Sequence, residues 1–116
     1  MLQKIEALLQ EVCPLVWYGS ADELKNGALW NYIVFSRART RRSESKTGFS
    51  DYYRVAIVHE NWVPDEMVED TISKLETLPG MRLASEDIDY AYSRKPGTNA
   101  TVEVAVLTFC RARKRV

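Results

Sequence analysis

Cysteine and histidine are scarce in this 116-residue chain: Cys13, Cys110 and His59 are all it has. One histidine excludes a multi-histidine metal site, and the cysteines fit neither a Cys-x-x-Cys motif nor any Cys/His ligand spacing. Such thiols read as small buried hydrophobes. The alternative, a nucleophilic site, requires Cys13, Cys110 and His59 to meet in space. There is no Gly-x-Ser-x-Gly, no Gly-rich phosphate loop and no His-Glu-x-x-His. No catalytic residue, metal or cofactor is therefore expected. No run approaches the roughly 18–20 apolar residues of a membrane span. The opening MLQKIEALLQEV is interrupted by Lys4, Glu6 and Glu11, unlike a signal peptide.

Net charge is also lacking: 16 basic residues balance 16 acidic ones, so the whole molecule has no electrostatic preference for nucleic acid or anionic membrane. The hydrophobic fraction of 46% is nonetheless that of a globular domain, and the length suits a single one, residues 1–116.

What the chain does contain is periodicity. Leu2, Ile5, Leu8, Leu9 and Val12 form one helical stripe, and Pro14 predicts its end near Cys13. Leu15–Tyr18 reads as a short strand closed by Gly19, and Ser20–Gly27 as turn-like. Trp30–Arg37 and Asp51–Glu60 are rich in aromatic and β-branched residues and predict strands. Ala38–Ser50 shows no periodicity and is expected to be a long basic loop, mobile in the monomer and ordered on assembly. Pro64, then Asp65 and Glu66, mark a helix start. Val68, Ile72, Leu75 and Leu78 give that helix its apolar stripe before Pro79-Gly80. Ile88–Arg94 alternates like a half-buried strand. Thr101–Arg111 predicts the longest strand, with Val102, Val104, Val106 and Cys110 on one face, followed by a basic tail over 111–116. This order predicts an α+β two-layer sandwich: a mainly antiparallel sheet of four to five strands with two helices on one face.

Zero net charge hides segregation. Arg37, Arg39, Arg41, Arg42 and Lys46 face only Glu44 in their stretch, a local +4, and Arg111, Arg113, Lys114 and Arg115 add another +4. Glu60–Glu76 holds six acids against Lys74, a local −5. Three readings of the basic segments stand side by side. They solubilise an edge; they bind phosphate as a small nucleic-acid module built on loop 37–46 and the C-terminal tail; or they meet an acidic surface of another copy, with Glu66, Glu69 and Asp70 as the complementary candidates. If Arg37, Arg39 and Arg41 lie in extended chain they share a side. Tyr90 and Tyr92, with Tyr52 and Tyr53, are a further candidate platform for stacking bases.

The runs SDYYRVAIVHENWVPDEMVEDTISKLETLPGMRL and DIDYAYSRKPGTNATVEVAVLTFCRARK resemble the small tail-completion or tail-terminator (head-tail joining) proteins of tailed bacteriophages and prophages, and the likeness spans essentially the whole chain. The resemblance implies a non-enzymatic virion component. It would assemble head to tail into a ring, commonly of six subunits, that caps the tail tube and joins it to the head connector. Its partners would be itself, the tail tube protein and the connector proteins, with DNA passing transiently through the lumen and no membrane. Its places would be the cytoplasm of the bacterial host during assembly and then the virion tail. Arg37, Arg39, Arg41, Arg42, Lys46, Arg111 and Arg113 are the interface or lumen candidates.

Overall fold

The computed structural model describes residues 1–19, 31–42, 48–84, 87–94 and 97–114. Two helices form where the stripes predict them. α1 (Leu2–Val12) buries Ile5 and Leu9 and stops at Cys13, which takes extended angles ahead of Pro14. α2 (Asp65–Leu75) starts after Pro64, carries Asp65 and Glu66 in its first turn and Lys74 in its last, and buries Val68, Thr71 and Leu75. That arrangement of charge opposes the helix dipole at both ends. The Thr71 hydroxyl is fully buried and donates to the carbonyl of Met67 at 2.7 Å, which removes the cost of its burial.

Six strands form one open sheet: β1 (Val16–Tyr18), β2 (Tyr32–Arg42), β3 (Gly48–Glu60), β4 (Met81–Leu83), β5 (Asp89–Arg94) and β6 (Thr101–Lys114). Their spatial order is β1-β2-β3-β6-β4, and β5 pairs with the other half of β6 on the same edge as β4. All ladders are antiparallel except β1–β2, which is parallel. The fold is thus the expected α+β sandwich with both helices on one face. Residues opposite each other in a ladder share a face. Ile33, Phe35, Tyr53, Val55, Ile57, Leu107 and Phe109 therefore line one side, where they form one core with Ile5, Leu9, Val68 and Leu75 of the helices.

The structure corrects the sequence reading in several places. Ala38–Arg42 and Gly48–Ser50 are not loop but continuations of β2 and β3, paired from Arg39↔Tyr52 to Arg42↔Phe49, while 43–47 lie outside the described residues. Arginine-rich chain hides this strand from a hydrophobic pattern, because at this end the sheet is only partly covered. The basic tail is likewise strand as far as Lys114, since β6 keeps its register with β3 to Gly48. β4 was not expected. It is three residues long and held by β6 rather than by any pattern of its own. β1 and β2 pair parallel, the one departure from an otherwise antiparallel sheet. β5 is exposed along its whole length rather than half-buried, with only Ile88 before it partly covered.

Candidate functional site: the arginine arm

Beyond Ser36, the ends of β2, β3 and β6 continue as an arm edged at its base by β4, and the molecule reaches 52 Å along its long axis. Most of the basic candidates lie here. They do not share one side. A bulge at Ala38 shifts the β2 register between Arg37 and Arg39 and reverses the alternation of side chains. Arg37, Thr40 and Arg42 stand opposite Tyr53, Asp51 and Phe49 and so lie on the helix-bearing face, together with Arg111 and Arg113 of β6. Arg39 and Arg41 stand opposite Tyr52 and Ser50 on the reverse face. There the Arg39 guanidinium lies 4.0 Å from the centre of the Tyr52 ring, with Arg41 at 6.0 Å. On the helix face Arg113 lies 4.7 Å from the ring centre of Phe49. Such stacking holds a guanidinium out along the strand while its edge stays open to a partner.

Asp51 is the hinge of this charge cluster. It is 7% exposed, accepts from the Thr40 hydroxyl at 2.8 Å, and receives Arg113 Nε at 2.6 Å. One carboxylate on β3 thereby ties β2 to β6. Beside it a concave site of about 340 Å³ opens between the arm and the first turn of α1, lined by Met1, Gln3, Arg37, Tyr53, Arg111 and Arg113 among others. Arg37 Nε donates to Tyr18 Oη at 3.4 Å, a bond that holds the guanidinium pKa above its ordinary value. Arg111 Nε donates to the carbonyl of Pro79 at 3.0 Å. Burial pushes the Tyr53 phenol up, reinforced by Asp51 and opposed by Arg111, Arg113 and Arg37.

The acidic candidates are elsewhere. Glu66, Glu69 and Asp70 are exposed on α2, which begins at the Glu60 end of β3. From Asp51 to Glu60 the strand covers about 30 Å at roughly 3.3 Å per residue. The molecule is a neutral body with unlike poles. Lys46, like Glu44 and Arg115, lies outside the described residues.

Other sequence candidates separate. Tyr53 is buried on the helix face and Tyr52 is on the reverse face, so they form no common platform with Tyr90 and Tyr92. Cys13 ends α1, whereas Cys110 sits opposite Tyr52, seven residues along β3 from His59. Both thiols are free and buried, so the proposed meeting of Cys13, Cys110 and His59 does not occur. Among the described residues no group of three or more His, Cys, Asp or Glu is placed to hold a metal, and no helix is long and apolar enough to cross a membrane. The sequence alone does not single out Asp51 or Thr40, and it offers Tyr53 only as a stacking residue. The one available signal is an acid opening an apolar run inside a basic stretch. Comparison with known proteins adds nothing to this geometry: no family model and no curated protein matches the chain.

Proposed function

We propose that the chain is a structural, non-enzymatic subunit of the tail-completion type, which binds copies of itself head to tail through its arginine arm and the acidic surface of α2. The observation that carries this reading is the segregation of unlike charge: Arg39, Arg41 and Arg42 on the arm, and Glu66, Glu69 and Asp70 exposed on the first half of α2, which begins at the other end of β3. A contact between two different surfaces of identical subunits is heterologous, and it closes into a ring when the rotation permits. Complementary charge fixes the register of such a contact and speeds encounter. The likeness to head-tail joining proteins supplies the setting: a ring at the end of a tail tube, beside the head connector, assembled in the bacterial cytoplasm and retained in the virion.

Sedimentation of purified protein across a concentration series tests this. Wild type is expected to form closed oligomers. Changing Arg39, Arg41 and Arg42 to Glu is expected to leave monomers, and so is changing Glu66, Glu69 and Asp70 to Lys. Mixing the two variants restores oligomers, because both kinds of contact regain opposite charges. A wild type that stays monomeric at high concentration, or an arm variant that assembles normally, would overturn the reading. A monomer that instead binds DNA with steep salt dependence would favour the nucleic-acid module, for which the pairing of Arg39 with Tyr52 and Arg113 with Phe49 is the supporting feature.

A further inference from the structure

Proteins hold oxyanions with converging N–H and O–H donors and a local excess of positive charge. The concave site between α1 and the arm gathers both. Arg37, Arg111 and Arg113 line it against a single carboxylate, Asp51, which leaves two positive charges unbalanced. That carboxylate is already engaged by Thr40 and Arg113. The three arginines bond to the protein through Nε: Arg37 to Tyr18, Arg111 to Pro79 and Arg113 to Asp51. These bonds fix each side chain, and the terminal Nη donors have no partner among the described residues.

Two further features point into the same space. Tyr53 is 4% exposed as a whole residue and lines the site, so its ring is packed in the core while the phenol belongs to the wall of the cavity. It shares the lining of this one cavity with Asp51 and all three arginines. A phenol in that position can donate to a group held in the cavity. The first turn of α1 is also open: Met1 at its cap makes no side-chain bond to it, and it contains no acid. The Met1 carbonyl takes the N–H groups of Lys4 and Ile5, so the donors this turn offers are those of Leu2 and Gln3, at the positive end of the helix dipole.

We propose that this site, formed by Arg37, Tyr53, Arg111, Arg113 and the first turn of α1, binds an oxyanion of the phosphate class. A phosphate carries close to two negative charges and accepts from several directions at once, matching the unbalanced charge and the spread of donors. A lone carboxylate would satisfy fewer of them, and the planar carboxylate position is already taken by Asp51. The volume is at the lower end for small-molecule sites and admits a phosphate together with part of the group that bears it.

Calorimetric titration of the full chain with inorganic phosphate, at ionic strength held constant with chloride, tests the proposal. Saturable one-site binding is expected, with acetate at least about tenfold weaker. Arg37 is exposed, so Arg37→Gln leaves the fold intact, and it is expected to weaken phosphate binding by about tenfold. Tyr53→Phe, which keeps the ring in the core, is expected to weaken it severalfold. A nucleoside monophosphate and a dinucleotide distinguish the source: preference for the former assigns a terminal phosphate, and equal binding assigns a phosphodiester. Absence of saturable binding, acetate as tight as phosphate, or unchanged affinity in both variants would overturn the proposal. Assembly is read separately by sedimentation, so failure here leaves the head-to-tail reading untouched.

Discussion

Replacing Asp51 with Ala is expected to loosen the arm and to lower the stability of the whole chain by about 2 kcal/mol. The carboxylate makes one hydrogen bond to a neutral hydroxyl and one charge-assisted bond to Arg113, at 2.8 and 2.6 Å. Bonds of these two kinds contribute about 1 and roughly 1.5–3 kcal/mol. The Arg113 side chain is 45% exposed and regains water once its partner is lost, which reduces the total. Loss of the only acid among Arg37, Arg111 and Arg113 acts the other way, by adding repulsion. Asp51→Asn retains an acceptor for Thr40 and is expected to cost about half as much, on the order of 1 kcal/mol. Urea unfolding at neutral pH measures both, and in a thermal scan the alanine variant is expected to melt about 8 °C lower. A double-mutant cycle with Arg113→Gln isolates the ion pair, with a coupling of about 1 kcal/mol expected. Hydrogen exchange is expected to quicken in the arm before it does at Ile57 or Leu107 in the core. An alanine variant within about 0.5 kcal/mol of wild type would refute the view that Asp51 joins the three strands.

Two further outcomes follow from the core. Burial holds the phenols of Tyr32 and Tyr53 above the ordinary value near 10, so the unfolded chain releases these protons first as pH rises. Their contribution is complete below about pH 10 and is lost as pH climbs toward the raised folded values. Urea midpoints between pH 8 and 11.5 are expected to fall at the alkaline end, and less steeply in Tyr53→Phe; an equal fall in the variant would refute this. Leu9 is fully buried between α1 and the sheet, so Leu9→Ala is expected to cost about 2–5 kcal/mol by equilibrium unfolding. Leu2→Ala, at a half-buried position, is expected to cost clearly less.

The layers of this fold are legible in the sequence because they rest on periodic burial. α1 and α2 bury the stripes their apolar spacing marks, and Asp51–Glu60 and Thr101–Arg111 form strands as their β-branched content implies. The exception within α2 is informative: Thr71 rather than Ile72 takes the fully buried place, since its hydroxyl is satisfied by the backbone of the preceding turn. The arm is illegible for the opposite reason. Arg39, Thr40, Arg41 and Arg42 are exposed, so nothing in their order reports a buried face. Their strand state comes from pairing with Phe49–Tyr52 of β3, a strand that is itself held by β6. β4 and the parallel pairing of β1 depend on neighbours in the same way. Of the candidate site, the charge was visible but its distribution over two faces was not, because a bulge leaves no hydrophobic trace in a row of arginines.

That single added residue, Ala38, has large consequences for the chemistry available to the arm. In a regular strand Arg37, Arg39 and Arg41 would project together and repel one another along one face. With the bulge, Arg37 turns to the helix side, where Tyr18 receives it and Tyr53, Arg111 and Arg113 are its neighbours around the concave site. Arg39 and Arg41 turn to the reverse side, where Tyr52 supports them. Each set acquires its own environment: a partly enclosed one suited to a small anion, and an open one suited to a broad acidic surface. The charge-reversal and phosphate experiments therefore act on separate residues. If the bulge divides the arm in this way, Arg39→Glu leaves phosphate binding within about twofold of wild type while impairing assembly, and Arg37→Gln does the reverse.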